Sequence, residues 1–171
     1  MTDNKPSFDL TVLNPHVIVG PMLQPLAGPE NVNSTNVFPI YNFINGVYDK
    51  IEGLTFPAWH HVDARDVAKA HILSMTTPAA SNKRIILVSG LITAQIVINI
   101  IRKHFPELHD RVIEGNPEKL IPDGIDPTDW DTSRSHAIFG PEWKYIDAEQ
   151  SVVDTVRDLL EHEKRWAAAG K

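Results

Sequence analysis

Apolar and β-branched residues gather early in the chain as Phe8, Leu10, Val12 and Leu13, a short run of the kind that forms a strand covered on both faces. Asn14-Pro15 closes the run, because proline has no N–H and restricts the residue before it to extended backbone. Gly20-Pro21 is a second stop. His16, Val17, Ile18 and Val19 lie between the stops, in a predicted loop just past the carboxyl end of the strand. Open α/β sheets bind their ligands at that place. A second buried strand is predicted over Arg84–Ser89, a short one between Leu54 and Val62, and another near Arg111 to Glu114.

Helical spacing fills the intervals. After a loop over 22–32, Asn33 or Ser34 starts a helix towards Asn45, with Gly46 as its C′ residue. Phe38, Tyr41 and Ile44 share one face of it, and Pro39 falls near the first turn or just past it, kinking the helix if it is interior. Asp63 caps a helix ending at Thr77-Pro78, with Asp66 in the capping-box position. Thr93 caps a strongly amphipathic helix carrying Ile96, Val97, Ile100 and Ile101 on one face. Residues 106–130 are rich in proline and read as loops. Ser133 opens a short helix that Gly140 ends. Asp147 caps the last helix, with Gln150 as its box partner and Val152, Val156, Leu159 and Leu160 on its packed face; Ala167 to Lys171 should fray.

At 171 residues the chain is long enough for one domain that buries roughly two-thirds of its unfolded surface. A formal net charge of -6 gives no basis for a nucleic-acid or anionic-membrane partner. The absence of cysteine excludes disulfides, thiolate metal sites and a cysteine nucleophile, and suits a cytoplasmic location. The first residues lack the apolar core of a signal peptide, and the apolar stretch Leu91 to Ile101 is too short to span a membrane.

Several candidate chemistries reduce to structure. His60-His61-x-Asp63 has metal-ligand residues, but neighbouring strand residues point to opposite faces, so both histidines cannot reach one ion undistorted. Asp63 and Asp66 are accounted for by capping and an Arg65 ion pair. Glu161, Glu163, Lys164 and Arg165 form an ordinary solvated helix face.

Four stretches in order carry a family resemblance: Asn14-Pro15-His16-Val17-Ile18-Val19-Gly20-Pro21, Val62-Asp63-Ala64-Arg65-Asp66-Val67-Ala68-Lys69-Ala70-His71, Arg84-Ile85-Ile86-Leu87-Val88, and Asp131-Thr132-Ser133-Arg134 leading to Phe139-Gly140. Together they resemble the extended short-chain dehydrogenase/reductases, in the branch of fungal methylglyoxal/aldehyde, dihydroflavonol and cinnamoyl-CoA reductases. The likeness runs from about Phe8 to Trp166 and covers only the family's carboxyl-terminal half. It implies an α/β fold: edge strands of a doubly wound, parallel, Rossmann-like sheet plus a small substrate domain, with residues 1–171 as one partial domain of the NAD-dependent epimerase/dehydratase type. On this resemblance residues 1–7 correspond to the tail of a helix carrying Tyr-x-x-x-Lys further upstream, and Met1 is expected to be an internal methionine of a longer ancestral reading frame.

The resemblance implies NADPH-dependent reduction of aldehydes or ketones. It places Pro15, Ile18 and Thr35 towards the cofactor, and His16, Val17, Met22 and Phe38 towards a small carbonyl substrate. Each also has a plainer role, as loop, cap or core. No glycine-rich phosphate loop is present, and Tyr41, Tyr48 and Tyr145 are followed four residues on by Asn45, Glu52 and Glu149 rather than lysine. The expectation is a substrate half that carries no catalytic residue, holds no metal, and binds NADPH weakly or not at all by itself. Its expected partners are an amino-terminal reductase half or a second copy through strand 8–13. The competing expectation is a non-catalytic small-molecule-binding or interaction protein derived from such a reductase.

Overall fold

The structure, a computed structural model, describes residues 7–54 and 58–170. The expectation for residues 1–6, the start of the strand sought after Leu54, and Lys171 lie outside the described residues. Among the described residues five strands form two small sheets. β1 (Val12–Pro15) pairs in parallel with β4 (Arg84–Leu87), Val12 opposite Arg84 and Pro15 opposite Leu87. In the second sheet β3 (Ala58–Asp63) is central, parallel to β2 (Val17–Val19) and antiparallel to β5 (Gly90–Thr93). The strands are thus a mixture of parallel and antiparallel pairs, with helices packed around them.

The first strand differs from its expected span. It starts at Val12, leaving Phe8 and Leu10 exposed ahead of it, and runs through Asn14-Pro15 instead of stopping there. The N–H groups of Val12 and His16 donate to Lys83 O and Leu87 O of the β4 side, so alternation turns the missing N–H of Pro15 to the other edge. The ladder therefore loses nothing to the proline. The expected loop at 17–19 is itself strand β2, and only His16 separates the two. β1 is half-buried, not covered on both faces.

Strand alternation divides the apolar side chains between two cores. Val17 and Val19 face a larger one, built with Ile92, Ile98, Ile101, Val152, Val156 and Leu159. Ile18 faces a smaller one around Val62, Ile85, Leu87 and Trp143. The helix after Asn33 is α1 (Ser34–Asn36), a π-helical turn (Val37–Tyr41) and α2 (Asn42–Ile44). Pro39 sits inside this turn. The Asn42 N–H reaches back to Val37 O, a wider ring than an α-helix makes. The extra residue shifts the faces: Ile40, Tyr41, Phe43 and Ile44 are buried, while Phe38 is 48% exposed. Gly46 follows with φ +78, as a C′ residue should.

α3 (Ala64–Thr76), α4 (Ala94–His104), α5 (Ser133–Phe139) and α6 (Ala148–Ala168) occupy the expected segments, and Asp63, Thr93 and Asp147 cap as expected. α6 stays helical to Ala168. Arg111 to Glu114 forms no strand, and β5 over Gly90–Thr93 is a strand that was not predicted.

α6 is tied to the strand ends by polar bonds. The buried Asp63 carboxylate accepts from the Arg65 N–H at 2.9 Å, from Arg65 Nε and Nη2 at 2.8 Å each, and from the Ser151 hydroxyl of α6. Arg65 Nη1 continues to Asp154 at 2.7 Å. Further along α6, Asp158 accepts from the Met22 N–H at 2.9 Å, and Trp166 Nε1 donates to Leu26 O at 3.0 Å. Arg111 grips Glu163 through two bonds of 2.9 and 2.8 Å and donates to Ile44 O. Burial, with Glu163 alongside, pushes the Tyr41 phenol up to about 12.

Asp66 is not a capping-box partner. Its carboxylate is buried and accepts the Ile146 N–H at 2.8 Å, pinning the segment before α6. Burial pushes Asp66 above the usual carboxylate value, and Asp63 nearby adds to the rise. Burial also acts to raise Asp63, but the Arg65 and Ser151 bonds outweigh it and hold its pKa low. The two carboxylates therefore act oppositely on stability. Asp63 stabilises above the unfolded value near 3.8, and that contribution is lost as pH falls through its lower folded value. Asp66 opposes folding while ionised, and the opposition is relieved as pH falls through its raised value. Near neutral pH, Asp63→Asn is expected to lower unfolding free energy by about 3 kcal/mol. Asp66→Asn, whose amide oxygen can still accept from Ile146, is expected to leave stability unchanged or higher. Denaturant unfolding at pH 7 and pH 5 checks both, and a large loss for Asp66→Asn contradicts the assignment.

Candidate functional site

An open cleft of about 480 Å³ lies where β1 passes into β2, and six of the expected residues line it: Pro15, His16, Val17, Ile18, Met22 and Thr35. Phe38 is not brought to it, because the π-helical turn carries its ring outward. The cleft wall is held by Asn36, which no local sequence pattern marks out. Asn36 Nδ2 donates to Gly20 O at 2.8 Å, and its Oδ1 accepts from Gly20 N–H at 3.2 Å, so the side-chain amide pairs with that backbone as a strand would. Asn36 Nδ2 also donates to Asn33 Oδ1, and Asn33 Nδ2 to Thr35 Oγ1 at 2.6 Å, which fixes the polar corner of the cleft.

Gly20 can take this position only as glycine. Its φ is +137, and a Cβ there would come within 3.2 Å of Asp63 Oδ1 and 3.3 Å of Ala64 N. The cleft floor is thereby locked to the Asp63 network. The lining residues include no lysine or arginine. Apolar side chains with amide and hydroxyl groups suit a neutral flat ring, and nothing there would neutralise a phosphate.

The histidines occupy distinct environments. His16 meets the His60 ring edge-on at 5.5 Å and the Trp130 ring at 5.5 Å, and His60 and Trp130 lie 6.2 Å apart. Of this aromatic trio only His16 lines the cleft. His61 points the other way, fully buried, with Nδ1 2.9 Å from Gly90 O, so the proton sits on Nδ1. Among the described residues no group of three or more histidine or carboxylate ligands converges. Burial lowers the pKa of both His60 and His61, and the neighbouring His16 lowers that of His60 further, against a partial rise from Asp129.

No family model matches the chain. It is 29% identical over 160 residues to the ketoreductase azaE of Aspergillus niger, covering 93% of this chain and 46% of that protein. It is 32% identical over 158 residues to the cinnamoyl-CoA reductase CAD2 of Medicago truncatula, covering 91% and 42%. The crystal structure of Candida albicans Gre2 in complex with NADPH superposes with a TM-score of 0.76 at 27% identity, over 94% of this chain and 46% of that one. The chain is a homologue of the extended short-chain dehydrogenase/reductases. It spans a little under half the length of the curated relatives it matches.

A second cavity of this reductase homologue, about 600 Å³, lies away from the cleft between the 49–54 and 113–125 segments. Ile51, Leu54, Ile113 and Ile125 give it apolar walls, and Gln95 holds one side by bonding Glu114 O, Asn116 N–H and Asn99. Its walls are loops of irregular backbone, which carry no periodic signal in the sequence.

The His16–His60 contact makes a titration prediction. His60 is expected to protonate with a midpoint below 6.5, and His16→Phe, which removes the facing imidazole, should move the midpoint up while burial keeps it under the ordinary value. Imidazole proton shifts followed by NMR from pH 4.5 to 8.5 measure both, and an unmoved midpoint rules out the coupling.

Proposed function

We propose that the cleft is the nicotinamide-facing and substrate-facing wall of an NADPH-dependent aldehyde or ketone reductase site. In this reading Pro15, Ile18 and Thr35 lie against the nicotinamide end of the cofactor. His16, Val17 and Met22 line the space for a small carbonyl substrate. NADPH supplies hydride to the carbonyl carbon when bound. This chain's own part is to give the ring an apolar seat, to orient its amide against Thr35 and nearby backbone, and to set the His16 ring on the substrate side. The observation that carries the reading is the convergence of six separately named residues on one uncharged cleft at strand ends, in a chain homologous to reductases. The location proposed for it is the cytoplasm; no described helix is long and apolar enough to cross a membrane.

The proposal includes inactivity of the 171-residue chain alone. Its sequence has neither a glycine-rich phosphate loop nor Tyr-x-x-x-Lys, and a general acid by itself supplies about 10²–10⁴-fold in rate. Its partner would be an amino-terminal reductase half, or a second copy, added at the free edge of β1. A second reading, a non-catalytic small-molecule binder, is favoured by the 600 Å³ cavity, which stands apart from the cleft.

The purified chain is expected to show no NADPH oxidation with methylglyoxal, and NADPH affinity no better than about millimolar. Addition of an amino-terminal half from a homologous reductase, bearing the missing loop and the tyrosine–lysine pair, is expected to restore turnover. Turnover by the chain alone, lost on His16→Ala, overturns the reading. Micromolar NADPH binding by fluorescence would reveal a phosphate site that the cleft does not contain.

A further inference from the structure

Three cations stand together, none of them in an ion pair with a carboxylate among the described residues. Lys83, Arg84 and Arg134 line one cavity of about 420 Å³ together with Asn82 and Ile138. Six basic side chains elsewhere in this acidic chain, Arg65, Lys103, Arg111, Lys119, Arg157 and Lys164, each pair with an Asp or Glu. None of the three in this cavity does so among the described residues. Two acidic groups on adjoining segments are otherwise engaged. Asp9 accepts from Asn82 Nδ2 at 3.1 Å, and Asp131 caps the start of α5 by accepting from Ser133 N–H at 2.9 Å, with Arg134 only a minor influence on it.

The cluster is built by three separate elements. Asn82 takes a left-handed φ of 53, in a turn closed by the Lys83 N–H to Ala80 O bond at 3.1 Å, and delivers Lys83 at the start of β4. Arg84 opens that strand. Arg134 comes from the first turn of α5 and is anchored by one bond, Nη1 to Arg84 O at 3.1 Å, which leaves most of its five N–H donors unused. Ile138, packed against the smaller core, gives the cavity a fixed floor. The site lies at the opposite end of β4 from the cleft, since Arg84 is the first residue of that strand and Leu87, opposite Pro15, is the last.

We propose that this pocket binds a phosphate group, carried either as the free ion or as a small phosphomonoester. A planar guanidinium with free donors, a second guanidinium and an ammonium match the several oxygens and double charge of phosphate. The bond to Arg84 O anchors Arg134, and the Asn82 turn sets the backbone position from which Lys83 reaches the pocket. The assignment is independent of the reductase reading, because it uses none of the cleft residues.

The test is a ¹H–¹⁵N NMR titration of the 171-residue chain at low ionic strength, with inorganic phosphate in one arm and glucose 6-phosphate in the other. Sodium chloride at matched ionic strength is the control. Saturable shifts confined to the amides of 82–85 and 133–138 are expected. Arg134→Gln and Lys83→Gln, singly, should each weaken binding roughly tenfold. The Lys83 side chain makes no ion pair among the described residues, so Lys83→Gln keeps the test valid if Arg134→Gln disturbs α5. Tighter binding of the ester assigns a phosphomonoester, and equal binding assigns the free ion. Shifts that stay linear, that chloride reproduces, or that persist unchanged in both variants overturn the proposal.

Discussion

A carboxylate with no exposure to water needs donors for its lone pairs, and Asp63 finds four within one site: the Arg65 N–H, two guanidinium nitrogens of Arg65, and the Ser151 hydroxyl. Meeting that requirement joins three parts of the chain. β3 must end where α3 begins, α6 must present Ser151 and Asp154 to the same point, and Gly20 must pass close enough that no side chain fits. Loss of any one donor would leave a buried charge short of partners, which is far more costly than the net gain from an ordinary hydrogen bond. The position of the cleft follows from this junction. Its floor is Gly20, and its far wall is reached through Asn36, which clasps Gly20 from the other side.

α6 extends the same logic over its whole length. From Ser151 to Trp166 it offers a polar contact at nearly every turn, each to a segment that has no regular structure of its own or to the end of one that has. The loop through Met22 and Leu26 is held chiefly by Asp158 and Trp166. The segment at Arg111 is held by Glu163. The helix is thus less a covering layer than a spine to which the irregular parts of the substrate side are fastened.

Much of this was legible in the residues, because the signals were local. Asp63, Thr93 and Asp147 precede apolar periodic runs and cap helices, and Gly46 and Gly140 end them, since caps and C′ glycines act within a few residues. The six cleft residues were also reachable, because strand ends and a motif place them. What escaped depends on contacts distant in sequence. Pro15 reads as a stop, and only the pairing of β1 with β4 shows that its missing N–H faces the free edge. Asp66 reads as a capping partner, yet its bond is to Ile146, eighty positions away. Phe38 reads as sharing a face with Tyr41 and Ile44 under a 3.6-residue period, and a π-helical turn breaks that period. Asn36 was passed over because an amide mimicking a strand leaves no pattern.

The edge of β1 away from β4 pairs with no strand among the described residues and has a polarity of its own. Alternation from Val12 and His16 leaves Leu13 with both N–H and C=O turned outward, while Pro15 offers an acceptor only. An incoming strand therefore meets a complete donor–acceptor pair at one position and half a pair two residues later. A cross-β stack requires every layer to present both groups all along its length to the next. This edge can greet one strand in a narrow choice of registers, but cannot template an indefinite ladder, so a misfolded population seeded here should stall at small oligomers rather than elongate into fibrils.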